Sequence, residues 1–206
     1  MNFWQILGIS FLILLATGVY GLVHSLLASR QAKKLVESWW GYEGARWYRM
    51  GYNIFAFIAL LPLLALAIIL PDGLIYMIPS PWNGLLTLVQ LMGAGLAFVA
   101  ARQTGLGYLA GLSQLMDRNI RQPQNKLETD GLYRFVRHPI YTGALIFLWA
   151  APQLTWNGFA LRLGFTLYFI IGGMAEEKRL VEEFGDEYRA YRLRTPMLIP
   201  GMKKHL

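Results

Sequence analysis

The sequence predicts an all-α, polytopic integral membrane protein with about five transmembrane helices and a C-terminal amphipathic cytoplasmic helix. Three observations predict it. The 206 residues are 55% hydrophobic and only 15% charged, where soluble domains carry about 25% charge. The apolar residues are gathered into runs close to the roughly 20 residues that cross a bilayer. Lys and Arg fall in alternate connections between those runs. So few charges cannot cover a soluble domain of this length, and so apolar a chain is not a disordered one. The basic excess, +7 with a pI of about 9.7, lies beside apolar runs. It therefore reads as loops at an anionic membrane face and not as a nucleic-acid surface. Cysteine is absent, which excludes disulfides, a thiolate nucleophile and Cys-ligated zinc.

The first span lies within the charge-free stretch 1–29, with Phe3–Leu27 almost wholly apolar. It lacks a basic leader and is too long for the apolar region of a signal peptide, so it reads as a span. Gly51–Pro71 supplies the second, with Ile54–Leu70 as its dense part, and Gly73–Ala101 the third, with Leu85–Ala101 as its core. The block from Pro139 to Ala175 is too long for one helix. Pro152 and Asn157-Gly158 inside it carry turn chemistry. It reads as a hairpin of a short helix, Pro139–Ala151, and a longer one, Trp156–Ala175. Basic residues follow the first span (Arg30, Lys33, Lys34, Arg46, Arg49), the third (Arg102, Arg118, Arg121, Lys126, Arg134, Arg137) and the last (Lys178 to Lys204), but not Pro71–Trp82. The rule that such loops stay inside puts the N-terminus outside and the C-terminus in the cytoplasm.

Gln122-Pro123-Gln124-Asn125 marks a loop in the connection 102–137. The stretch Glu176–Tyr191 should continue the last helix into water. Leu180, Phe184, Tyr188 and Tyr191, spaced four, four and three apart, share one face, which should fold back on the cytoplasmic segments. The whole chain reads as one membrane domain, with a three-helix part over 1–101 and a second part over 102–206.

Most of the ionisable groups placed for chemistry lie at the cytoplasmic end. His138 precedes Pro139, which biases it away from helical geometry, and Pro139 suits a helix's first turn. Arg137 and His138 thus stand at a helix mouth, where free amides favour an anionic group, with Tyr141 within the first turn. The same residues would equally make a basic, aromatic interfacial anchor. Glu176-Glu177 directly follow the last apolar run and need a cation: Arg137, Lys178, Arg179 or a ligand ammonium. A solvated helix end with i,i+4 pairs is the alternative. Gly105-Leu106-Gly107 would let a ligand approach the backbone, or serve a turn or close helix packing. His24, near the cytoplasmic end of the first span, marks a functional group or a satisfied interfacial side chain. Gln114, Tyr191 and Arg194 are further cytoplasmic candidates. Histidines at 24, 138 and 205 are too scattered for a metal site.

The segment Gly131-Leu132-Tyr133 through Arg137-His138-Pro139-Ile140-Tyr141-Thr142-Gly143, followed by Glu176-Glu177, Phe184-Gly185-Asp186-Glu187-Tyr188, Tyr191 and Pro196, resembles the C-terminal half of the isoprenylcysteine carboxyl methyltransferase and phospholipid methyltransferase superfamily. His24 to Ser29, Arg46-Trp47-Tyr48-Arg49, Tyr52-Asn53 and Arg194 to Pro200 are similar to NnrU-like membrane proteins, the subgroup that includes the methanethiol S-methyltransferases. The resemblance implies S-adenosyl-L-methionine as methyl donor. It implies that Tyr133, Arg137, His138, Pro139 and Tyr141 line its pocket, that Glu176 and Glu177 hold its amino or ribose end, and that Gly105 and Gly107 form a glycine element beside it. A small thiol, an isoprenylcysteine carboxylate or a phospholipid amine is the implied acceptor, with His24 or Arg194 as the group that activates a thiol. No obligate protein partner is implied, only membrane lipid. Two other readings stand beside it. Membrane sterol reductases share a similar His-Pro-x-Tyr-x-Gly element and use NADPH, and a non-catalytic membrane subunit would keep the same fold.

Overall fold

The computed structural model describes residues 2–116 and 127–202. Its helices are α1 (Phe3–Leu27), α2 (Arg30–Ile69), α3 (Trp82–Thr104), α4 (Leu106–Ala110), α5 (Leu112–Met116), α6 (Pro139–Trp149), α7 (Trp156–Phe184) and α8 (Asp186–Arg194). A 3-10 turn covers Gly131–Arg134, and the short strands β1 (Leu74–Met77) and β2 (Gln153–Thr155) pair in a two-stranded ribbon. Four helices, α1, α2, α3 and α7, are long and apolar enough to cross a membrane. The fourth of the five expected helices, α6, has 11 residues and so rises only about 16 Å, short of a full crossing, as its apolar run suggests. The expected loop over Gln122–Asn125 lies outside the described residues.

Two further differences from the sequence reading have local causes. The basic stretch after α1 is helical, not a loop: Ser29 Oγ accepts from the Ala32 amide at 3.1 Å, which starts α2 forty residues before its end. Gly41, at φ +62°, bends that helix within its polar half. The last helix does not run unbroken to Tyr191. Gly185, at φ +57°, adopts a left-handed conformation that glycine takes without steric cost, and it separates α7 from α8.

The described chain forms two compact units. The first comprises residues 2–76, 106–116 and 154–168. Here α1 buries one seam, Ile13, Thr17 and Gly21, at the four-residue spacing of a helix face. Small residues make it possible. A Cβ on Gly21 would lie 2.9 Å from the Tyr168 ring, and one on Gly164 2.7 Å from the Thr17 methyl. The rest of α1 turns large apolar side chains outward, Trp4, Phe11 and Leu22 among them, as contact with hydrocarbon permits. Tyr48 donates to the Leu27 carbonyl at 2.6 Å and joins α2 to the end of α1. Buried Asn157 donates to the carbonyls of Leu70 at 3.1 Å and Pro71 at 3.3 Å, which satisfies the end of α2.

The second unit comprises residues 77–105, 127–153 and 169–202. Its centre is the contact of α3 with α6. A Cβ on Gly143 would stand 2.5 Å from the Ala97 nitrogen and 2.6 Å from the Gly93 oxygen, so the two backbones touch there. Gly105 ends α3 at φ +99°, and Gln103 then accepts from the Leu132 amide at 3.2 Å and donates to the Asp130 carbonyl at 2.7 Å. Leu127, Tyr188 and Tyr191 form a buried cluster lined by Leu180, Val181 and Phe184. The apolar face expected of Leu180, Phe184, Tyr188 and Tyr191 thus folds inward despite the break at Gly185.

Candidate active site at the mouth of α6

His138 caps α6 with φ −126° and ψ 66°, the non-helical geometry that a following proline favours. The chain after α8 returns to this point. The Arg137 amide donates to the Pro196 carbonyl at 2.9 Å, and the His138 amide to the Met197 carbonyl at 3.1 Å. Thr142 Oγ1 donates to the Leu198 carbonyl at 2.7 Å. The segment 195–198 is therefore a strap laid along the helix mouth by main-chain bonds.

Four charged or titratable side chains converge beneath it. Arg137 donates through Nε to Glu177 Oε1 at 2.8 Å, and its Nη2 stands 2.6 Å from the same oxygen. Its Nη1 donates to the carbonyls of Arg192, at 3.1 Å, and Thr195. Both members of the pair are buried. The His138 imidazole bridges the carboxylates, with Nε2 3.3 Å from Glu177 Oε1 and Nδ1 3.6 Å from Glu176 Oε2. Tyr141 donates to Glu176 Oε2 at 3.0 Å. Glu176 keeps 40% of its side-chain surface exposed, against 8% for Glu177. One guanidinium and one imidazole thus face two carboxylates, of which Glu177 is closed in and Glu176 is open. The open carboxylate makes a cationic group a candidate ligand, where the helix mouth alone suggests an anionic one.

Aromatic faces complete it. The His138 and Tyr141 rings stack at 5.3 Å with 10° between planes, and Tyr141 stacks on Phe169 at 5.3 Å and 19°. Phe169, Gly173 and Glu177 repeat at four-residue intervals, so one face of α7 supplies a ring, a gap and an acid. A Cβ on Gly173 would meet the Met197 methyl at 2.5 Å and His138 Nε2 at 3.6 Å. That glycine leaves the space the strap and imidazole occupy.

Three tyrosines support the site from the tail side. Tyr133 shares a 2.6 Å hydrogen bond with Thr104, and its carbonyl accepts from Tyr191 at 2.6 Å. Burial pushes the Tyr133 phenol up; the Thr104 bond opposes this, and the carboxylates of Glu176 and Glu128 add to it. Burial likewise pushes Tyr188 and Tyr191 well up, with the Arg137 charge pulling the other way in both. All three stay neutral phenols at physiological pH.

Of the residues singled out from sequence, the structure brings together Tyr133, Arg137, His138, Pro139, Tyr141, Glu176 and Glu177. Gly143, from the same motif, serves the α3–α6 contact. Gly105 terminates α3 in the second unit. Gly107 lies in α4 of the first unit, where a Cβ would meet Ser113 Oγ at 2.8 Å. Arg194 is exposed at the end of α8, with Nε donating to the Ala190 carbonyl at 3.3 Å. His24 belongs to the first unit. Its Nδ1 lies 2.6 Å from Tyr168 Oη and its Nε2 2.5 Å from Tyr52 Oη. Sequence reasoning missed Phe169, Gly173, Tyr188 as a neighbour of Glu177, and Thr195. The first two carried a signal, the four-residue spacing to Glu177. Thr195 carried none, because its carbonyl is what Arg137 uses.

A phospholipid methyltransferase family model matches residues 82–187, which span α3 to the start of α8 and hold most of this cluster. A methanethiol S-methyltransferase 1 from Bradyrhizobium diazoefficiens is 33% identical over 91% of this chain and 65% of its own length. A methanethiol S-methyltransferase from Mycobacterium tuberculosis is 30% identical over 93% of this chain and 78% of its own. A protein-S-isoprenylcysteine O-methyltransferase from Schizosaccharomyces pombe is 40% identical over 39% of this chain and 35% of its own. No solved structure matches significantly. The fold and site define an integral membrane protein with a cluster of one arginine, one histidine and two glutamates at a helix mouth. The chain belongs to the phospholipid methyltransferase family, among relatives named for methanethiol S-methylation. It spans about half to two thirds of the length of the first of these curated relatives.

Proposed function

We propose that the protein is an S-adenosyl-L-methionine-dependent methyltransferase that acts on a small thiol from the membrane, with the second part of the chain, 102–206, as the donor-binding part. The observation that carries this reading is the open Glu176 carboxylate beside the stacked rings of His138, Tyr141 and Phe169. A carboxylate and aromatic faces together suit a ligand that is both cationic and heteroaromatic. When bound, the donor supplies an electrophilic methyl on a positively charged sulfur. Glu176 would hold a cationic group of that donor. His138 and Tyr141 would fix Glu176, and the stack they form with Phe169 would offer an aromatic edge. The Arg137–Glu177 pair would keep His138 in place and leave no spare cation in the cluster. The strap over 195–198 would limit water, and Tyr133 with Pro139 would set the wall toward α3. Positioning of this kind supplies roughly 7–11 kcal/mol in well-oriented systems. A thiol acceptor also needs its thiolate. Arg194, by its charge, is the group we put forward for that step, with Gly105 for close backbone approach; His24, as a proton acceptor, and Gly107 stand as separate candidates in the first unit.

The names of the methanethiol relatives support a small thiol over an isoprenylcysteine or a phospholipid amine. The distribution of Lys and Arg supports an N-terminus outside and a cytoplasmic cluster, and relatives from Bradyrhizobium and Mycobacterium support a bacterial or archaeal inner membrane. The NADPH reading is less well supported, because an anionic dinucleotide would meet the open carboxylate of Glu176. The test incubates membranes containing the protein with methyl-labelled donor and methanethiol, then separates volatile, lipid and protein fractions. Label in a volatile thioether is the expected result. Label confined to lipid or protein overturns the thiol acceptor, and no transfer to any fraction overturns the activity.

A further inference from the structure

We propose that the first stretch of α2, residues 30–40, is a membrane-surface helix whose partner is an anionic lipid leaflet. Its apolar residues Ala32, Leu35, Val36, Trp39 and Trp40 recur at the spacings of one helix face. Leu35, Trp39 and Trp40 are 48%, 67% and 70% exposed, so none of the described residues covers this face. Lys33 flanks it, and Arg30, Lys34 and Glu37 lie on the other side, a net +2 from three basic residues and one acid. An apolar, tryptophan-bearing face with a basic opposite side is the pattern of helices that lie in the headgroup region. Indole rings favour that depth because they are apolar with one polar edge.

The chain holds the helix at that depth. Only Ala28 and Ser29 separate it from α1, so Arg30 lies within about 10 Å of the end of that span. The other end is a built corner. Gly41 sits at φ +62°, and a Cβ on Gly44 would come within 2.6 Å of Trp40 Cβ and 3.2 Å of the Val36 carbonyl. Only glycine serves at both positions, so the chain turns sharply between this helix and the apolar part of α2. Charge complementarity selects the partner. Two copies of the same helix would set like charges side by side, whereas an anionic leaflet attracts Lys33, Lys34 and Arg30 and accepts the tryptophans below them.

The chain contains no cysteine, so single labels can be placed cleanly. Full-length Leu35→Cys, Trp39→Cys and Ser38→Cys variants carry a nitroxide and are reconstituted in vesicles of phosphatidylcholine alone or with phosphatidylglycerol. Accessibility to oxygen and to a water-soluble nickel chelate gives the depth of each label. Labels at 35 and 39 are expected below the headgroups, oxygen-accessible and chelate-protected, with the label at 38 in water. The labels at 35 and 39 should lie deeper in the anionic vesicles, and the difference should vanish with Lys33→Gln and Lys34→Gln together. Three results overturn the proposal: all labels in water, labels at 35 and 39 shielded from both reagents or broadened by a second copy, or equal depth in both vesicle types.

Discussion

Glu176 and Glu177 are neighbours in sequence with opposite structural situations, so replacing each by glutamine separates ligand binding from folding. Glu177 is buried and takes two close Arg137 nitrogens and His138. Glu177→Gln strands the guanidinium, and breaking a buried pair costs about 3–5 kcal/mol. Arg137 retains the carbonyls of Arg192 and Thr195, so about 3 kcal/mol is expected, seen as a clear drop in the thermal midpoint. Glu176 is open to solvent, and its loss should cost under about 1 kcal/mol of stability, as exposed ion pairs do. Its effect should fall on donor binding. A charge-assisted hydrogen bond contributes about 1.5–3 kcal/mol, which is roughly 10- to 150-fold in Kd. The assay is calorimetric titration of detergent-purified protein with S-adenosylmethionine and S-adenosylhomocysteine, paired with thermal unfolding. A loss shared by both ligands puts Glu176 at the amino or ribose end of the donor, which both possess. A loss confined to S-adenosylmethionine puts it at the sulfonium. If Glu176→Gln binds both ligands as tightly as the parent, or Glu177→Gln unfolds at the parent's temperature, the division of roles is wrong.

Two further outcomes follow from the same geometry. Gly143→Ala drives a methyl group against the Ala97 nitrogen and Gly93 oxygen, where overpacking costs typically 1–3 kcal/mol; a lower unfolding midpoint in detergent checks it, and an unchanged one refutes the backbone contact of α3 and α6. The raised phenols of Tyr133, Tyr188 and Tyr191 set an alkaline limit. A phenol whose folded pKa lies above its unfolded value near 10 contributes fully below that pH, and its contribution falls above it. The midpoint should therefore decline above about pH 10, and less steeply in Tyr191→Phe than in the parent.

The sequence by itself determined the membrane character and the apolar extents of the spans, because contact with hydrocarbon imposes a composition on every residue of a crossing helix. It also determined the shortness of α6, since Pro139 and Pro152 bracket it, and the inward face of Leu180, Phe184, Tyr188 and Tyr191, since helical periodicity is a local rule. It singled out His138 and the Glu176-Glu177 pair as candidates and offered Arg137, Lys178, Arg179 or a ligand as the cation they need. Only the fold shows that Arg137 pairs with Glu177, forty positions away, and that Glu176 stays open. The fold likewise decided that Gly143 serves packing while Gly173 makes room for His138, because a glycine's purpose lies in the atoms a Cβ would strike. The strap over 195–198 was invisible in the residues. It is held by main-chain carbonyls, which every sequence possesses and which only tertiary structure aims.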